Sequence, residues 1–198
     1  RGKDPAMSPD GRRLAFSRAD ESGFYRIWVA PLSEPEAAVQ VTRPDDGLWN
    51  HTQPAWSPDG RTICYAGNRD LWLVDPEGGR PRPLTNEGLF DTEPVWSPDG
   101  RGLVFTSERV VAADRYTYSL WFVGIDGGGL RRLTQSNAAC RSATLSPTGR
   151  RLAYSTTTTD AETEVIDRSH TGAVGLLWRG RCNSPAVAPD GSFVVYNS

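Results

Sequence analysis

The chain has 198 residues, 37% of them hydrophobic, 23% charged and 10% aromatic, a balance that excludes the disordered and membrane-embedded classes. Lys and Arg number 22 against 24 Asp and Glu, and the net charge of -2 leaves no basic footprint for nucleic acid. No apolar run reaches the roughly 18 residues that a spanning helix needs, so no membrane insertion is expected.

The chain opens on Arg1-Gly2-Lys3-Asp4, without Met or a signal-peptide core, and falls at once into a repeat. A piece of a longer protein is the expectation, with its compartment not readable from this end. The first repeat, about 5–42, holds the turn Met7-Ser-Pro-Asp-Gly-Arg12, the alternating run Arg13-Leu-Ala-Phe-Ser17, a third strand Arg26-Ile-Trp-Val29 and a fourth ending in Val41-Thr42. The second, about 54–85, repeats that order with Trp56-Ser-Pro-Asp-Gly-Arg61, Thr62-Ile-Cys-Tyr-Ala66, Asp70-Leu-Trp-Leu-Val74 and Leu84-Thr85. The third, about 94–134, has Trp96-Ser-Pro-Asp-Gly-Arg101, Gly102-Leu-Val-Phe-Thr106, Ser119-Leu-Trp-Phe-Val123 and Leu133-Thr134, with an insertion Glu108 to Tyr118 between its second and third strands.

In the fourth repeat, about 143–180, Thr148 replaces the turn Asp, and Glu164-Val-Ile-Asp167 and Leu176-Leu-Trp-Arg179 are the third and fourth strands without a Leu-Thr ending. Its polar run Thr156 to Thr159 reads as a loop. A partial fifth copy, 185–198, holds Val187-Ala-Pro-Asp-Gly-Ser192 and Phe193-Val-Val-Tyr-Asn197, two strands in all.

Gly11, Gly60, Gly100, Gly149 and Gly191 stand 49, 40, 49 and 42 residues apart. Propeller blades run roughly 40 to 45 residues. Pro fixes φ and Gly accepts a positive φ, so each Ser-Pro-Asp-Gly reads as a tight hairpin turn flanked by strands. With 35 Gly and Pro at turn spacing and no sustained 3.6-residue stripe, no amphipathic helix competes. The expected fold is all-β: one β-propeller over 1–198, with four four-stranded antiparallel blades plus the inner half of a fifth. Such a piece is expected to belong to a larger ring or one completed by a partner. Trp28, Trp72 and Trp121 share one repeat position and Trp56 and Trp96 another, which points to packing between blades.

Pro54-Ala-Trp-Ser-Pro-Asp-Gly-Arg61, with Leu71-Trp-Leu-Val-Asp75, Gly78-Gly79 and Arg82-Pro-Leu-Thr85, resembles the repeat of TolB-like β-propellers, and Pro94 to Thr134 repeats it. The resemblance implies one of two roles. One is a periplasmic or otherwise extracytoplasmic bacterial scaffold that binds a protein partner; the other is the gating propeller of a prolyl-oligopeptidase-like hydrolase. The chain departs from TolB in lacking its N-terminal α/β domain and from a whole ring in its blade number.

Counting back seven residues from the turn prolines aligns Gly2, His51, Asp91, Cys140 and Cys182 at the expected channel mouth. Imidazole, carboxylate and thiolate suit zinc where donors converge, but polar residues at a wet mouth need no ligand, and no cofactor is assigned. Cys140 and Cys182 in consecutive copies could also pair as a disulfide if their Cα atoms lie within roughly 7 Å. The links carrying Trp49 and His51, Phe90 and Asp91, and Cys140 and Arg141, with Arg115 and Tyr116 in the insertion, offer the exposed aromatics and arginines of a protein-binding patch. No Gly-x-Ser-x-Gly elbow is present, and Asp167-Arg-Ser169-His170 is sequential rather than convergent, so no catalytic residue is assigned. The function expected is protein or peptide binding. The alternatives are an accessory hydrolase propeller or a small-ligand or metal binder, with self-association open as a way to complete the ring.

Overall fold

The computed structural model describes residues 2–43, 50–86, 90–112, 115–134, 138–157, 161–168, 174–180, 183–188, 190, 192 and 194–197. Four successive four-stranded antiparallel sheets follow the repeats, each paired in chain order. The first contains β1 (Gly2–Met7), β2 (Arg13–Ala19), β3 (Tyr25–Pro31) and β4 (Val39–Gln40), and the second β5 (His51–Trp56), β6 (Ile63–Gly67), β7 (Asp70–Val74) and β8 (Arg82–Pro83). The third contains β9 (Phe90–Trp96), β10 (Gly102–Ala112), β11 (Arg115–Gly124) and β12 (Arg131–Arg132). The fourth contains β13 (Ala139–Leu145), β14 (Arg151–Thr157), β15 (Ala161–Arg168) and β16 (Val174–Gly180); β17 (Asn183–Val187) and β18 (Val194–Asn197) form a two-stranded fifth sheet. The arrangement is a partial all-β propeller, as expected.

The repeated turn is held by its own side chains. Gly60 N–H donates to Ser57 O at 2.9 Å with Gly60 at φ 70°, and Ser57 Oγ–H donates to Asp59 Oδ1 at 2.6 Å. The same carboxylate oxygen accepts Arg61 N–H at 3.1 Å, while Ser57 Oγ accepts Thr62 N–H at 2.9 Å, so two short side chains satisfy the hairpin's spare backbone donors. In the fourth sheet Thr148 lies 3.3 Å from Ser146 Oγ in place of the Asp, and in the fifth Ser192 supplies the hydroxyl to Asp190.

The core lies between sheets. Ala15, Ile27, Val29 and Val41 of the first sheet pack on Trp56, Ile63, Tyr65 and Val74 of the second. Cys64, Leu71, Leu73 and Leu84 meet Trp96, Leu103, Phe105 and Val123, and Val104 and Leu120 meet Cys140, Leu152 and Tyr154. Trp56 Nε1 donates to Ala6 O at 3.1 Å and Trp96 Nε1 to Ala55 O at 3.0 Å, each reaching the preceding sheet. The expected packing role of these two tryptophans is therefore joined by a polar one.

Two local readings are corrected. The insertion Glu108 to Tyr118 is not a loop off the sheet but a prolongation of β10 and β11, paired from Gly102↔Gly124 to Ala112↔Arg115, because its branched and aromatic residues suit a pleated ribbon. Thr156 and Thr157 are strand rather than loop, since they continue the ladder to Glu162 and Ala161.

Candidate recognition rim

Strand alternation places the links between sheets and the hairpins joining second to third strands at one end of the propeller, with the Ser-Pro-Asp-Gly turns at the other. Of the candidate binding residues, His51, Phe90, Asp91, Cys140 and Arg141 and the backbone of Arg115 and Tyr116 thus share one rim. His51, Asp91 and Cys140, however, are 0%, 1% and 0% exposed. They are buried at junctions between sheets rather than open at a channel mouth, because the first residues of each inner strand tuck under the end of the preceding sheet.

That burial has a repeated polar reason. Thr42, Thr85 and Thr134, which close the fourth strands, accept the backbone N–H of Ile27, Leu71 and Leu120 on Oγ1 at 2.9, 2.9 and 3.1 Å. Thr42 Oγ1 lies 2.6 Å from His51 Nδ1, a hydrogen bond between the Thr42 hydroxyl and the imidazole, and Asp91 Oδ1 accepts Ser107 Oγ–H at 2.5 Å. Burial, with the Arg26 guanidinium alongside, pushes His51 down to about 4, opposed in part by Asp20. Arg26 and Asp20 form a buried ion pair at 3.0 Å. Asp91 is pushed up by burial, against the hydrogen bond from Ser107, and Asp70 is raised by burial and by the neighbouring Asp91.

Among the described residues no group of three His, Cys, Asp or Glu could hold a metal ion, so His51, Asp91 and Cys140 are not brought together as ligands. Cys140 is a free thiol, donating to Ala138 O at 3.5 Å. Trp49 and Cys182 lie outside the described residues, as do the side chains of Arg115 and Tyr116, whose backbone is the start of β11.

A different ring occupies the inner strands, five residues before each turn proline. Asp4, Gln53, Glu93 and Ser142 adopt left-handed φ of 53°, 54°, 54° and 52° at the bulge in β1, β5, β9 and β13. The first three side chains each accept the backbone N–H of the next: Gln53 to Asp4 Oδ2 at 3.3 Å, Glu93 to Gln53 Oε1 at 3.0 Å and Ser142 to Glu93 Oε2 at 2.8 Å. The bulge turns an N–H out of its own ladder and toward the preceding sheet. Counting back five instead of seven would have found this set, since every member is polar.

The rim surface itself centres on the long hairpin. Phe90 opposes Glu108 and Glu108 opposes Tyr118, so the three side chains stand in one row on one face across β9, β10 and β11. Phe90 is 44% exposed, with the Arg69 guanidinium 5.5 Å from its ring centre; Arg141 lies 3.5 Å over Tyr118. Of the expected patch, Phe90 and Arg141 take part in this strip. Arg69, Glu108 and Tyr118 were not singled out by sequence, because only strand register puts them beside the others.

The model of the TolB β-propeller domain matches residues 5–198. The chain belongs to the TolB β-propeller family. It is similar to the "Uncharacterized peptidase YuxL" of Bacillus subtilis, 32% identical over 93 residues, which is 42% of this chain and 14% of that protein. The putative TolB from Agrobacterium tumefaciens superposes with a TM-score of 0.78 at 26% identity, over 100% of this chain and 75% of that one. Puromycin hydrolase, solved as its S511A mutant with PGG, reaches 0.79 at 17% identity over 99% of this TolB-type chain and 35% of that protein, a likeness of fold. The matched stretches thus span only a small part of the curated relatives' own length.

Proposed function

We propose that this TolB-type propeller is a non-catalytic module that binds a protein or peptide at the rim carrying Phe90, Glu108, Tyr118 and Arg141. The row of exposed Phe90 on β9 with half-buried Glu108 and Tyr118 on the prolonged β10–β11 hairpin supports the reading, because ladder pairing presents it rigidly and aromatic and Arg side chains dominate binding energy at protein interfaces. A photo-cross-linking residue at position 90 is expected to trap a discrete partner, while the same residue at position 59, among the turns of the opposite end, traps none. Equal labelling from both positions would sink the assignment.

A second reading is supported by the names of the relatives. As the accessory propeller of a prolyl-oligopeptidase-like serine hydrolase, the chain would gate a catalytic domain in the rest of a longer protein. Sequence of the full gene separates the two readings: a Gly-x-Ser-x-Gly elbow in an adjoining α/β domain favours the second.

The first sheet supports ring completion from outside these 198 residues, by a partner or a second copy. Met7, Leu14 and Phe16 occupy the positions that Trp56, Ile63 and Tyr65 fill in the second sheet, yet Met7 is 54% exposed. A groove of about 310 Å³ lined by Leu14, Phe16, Ala30 and Leu32 opens on this face.

A further inference from the structure

We infer that the strip across β9, β10 and β11 is a slot for one basic side chain of a partner segment, held by the Glu108 carboxylate between the rings of Phe90 and Tyr118. The inference rests on the rim-binding reading and names what that rim recognises. Cross-strand neighbours stand about 5 Å apart, so a carboxylate with a ring on each side offers a guanidinium or ammonium both an ion pair and aromatic contact.

Three observations carry the assignment. The Glu108 side chain is half-buried and makes no hydrogen bond or ion pair among the described residues. Its neighbour Arg109 does not supply the missing partner. Arg109 Nε donates to Ser107 Oγ at 2.9 Å, and its guanidinium lies 4.7 Å over the Trp121 ring, on a residue that alternation sends to the other face. Two cations are already held against the aromatics of the strip, Arg69 on Phe90 and Arg141 on Tyr118. One carboxylate beside two cations attracts a single further positive charge and repels additional ones, which favours an isolated basic residue over a polybasic run.

The test follows the aromatic proton signals of Phe90 and Tyr118 by NMR. The protein is titrated with the blocked peptides Gly-Gly-Arg-Gly-Gly, Gly-Gly-Gln-Gly-Gly and Gly-Gly-Glu-Gly-Gly. The Arg peptide is expected to shift both ring signals with an affinity at least 5-fold above the Gln peptide, and Glu108→Gln is expected to abolish that difference. Unchanged melting of Glu108→Gln confirms that the variant is folded. Equal affinity for Arg and Gln peptides, or Arg binding that survives Glu108→Gln, overturns the slot. A stronger response to the Glu peptide also overturns it, while leaving the rim as a binding surface that reads anions through Arg69 and Arg141. No response to any of the three overturns the slot alone, because cross-linking from position 90 tests the rim independently.

Discussion

His51 shows how one side chain can be chemically suggestive in sequence and structural in the fold. Its imidazole packs 5.0 Å from the Tyr65 ring and shares a hydrogen bond with the Thr42 hydroxyl through Nδ1, in a site closed to water. Burial and Arg26 hold it down near 4, against an ordinary value of 6.5. A histidine depressed by folding favours the deprotonated native state. Its site therefore carries no penalty above pH 6.5, loses stability as pH falls from 6.5 to 4, and changes no further below that. The whole window is worth on the order of 3 kcal/mol. Buried Asp91, raised instead, acts with the opposite sign, so the informative quantity is the difference between wild type and His51→Gln. Denaturant unfolding at pH 7, 5 and 4 is expected to show a shallower loss in His51→Gln; parallel losses would refute the assignment.

Between elements, Glu93 joins two sheets through one carboxylate oxygen. Glu93 Oε2 accepts Thr106 Oγ–H within its own sheet and Ser142 N–H of the next, both at 2.8 Å. Removing a shared acceptor leaves two donors to find other partners, at about 1–3 kcal/mol. Glu93→Ala is expected to lower unfolding stability by about 2 kcal/mol. Glu93→Gln, which keeps an acceptor oxygen, is expected to lose less than half as much. Glu93→Gly isolates the backbone contribution, because it relieves the left-handed φ of 54° without restoring the side chain. Stability at or above wild type in Glu93→Gly would show that conformational strain, not the hydrogen bonds, dominates this position. The same element-scale logic explains the long hairpin. Ten paired positions from Gly102↔Gly124 outward make β10 and β11 a ribbon that lifts Glu108 and Tyr118 to the rim.

Across the whole molecule, stability comes from stacking one sheet's small and branched residues on the next sheet's large ones, and the first sheet's large-residue face has no such neighbour among the described residues. Phe16 stands where buried Tyr65 and Phe105 stand in the next two sheets. An apolar sheet face of this kind drives association. Sedimentation velocity is expected to show concentration-dependent self-association that Phe16→Ser reduces. A wild-type monomer at every concentration would remove self-association from the readings above.

The propeller was legible in sequence because its repeat is local: Ser-Pro-Asp-Gly closes a turn with its own hydroxyl and carboxylate, and the alternating runs beside it pair with their nearest neighbours in the chain. Period, strand order and the two-stranded fifth sheet follow from that. What each polar residue faces does not, because it depends on contacts roughly one blade apart. Only the tertiary structure put His51, Asp91 and Cys140 under the preceding sheet, turned Asp4, Gln53, Glu93 and Ser142 into an inter-sheet relay, and set Glu108 between Phe90 and Tyr118 through strand register.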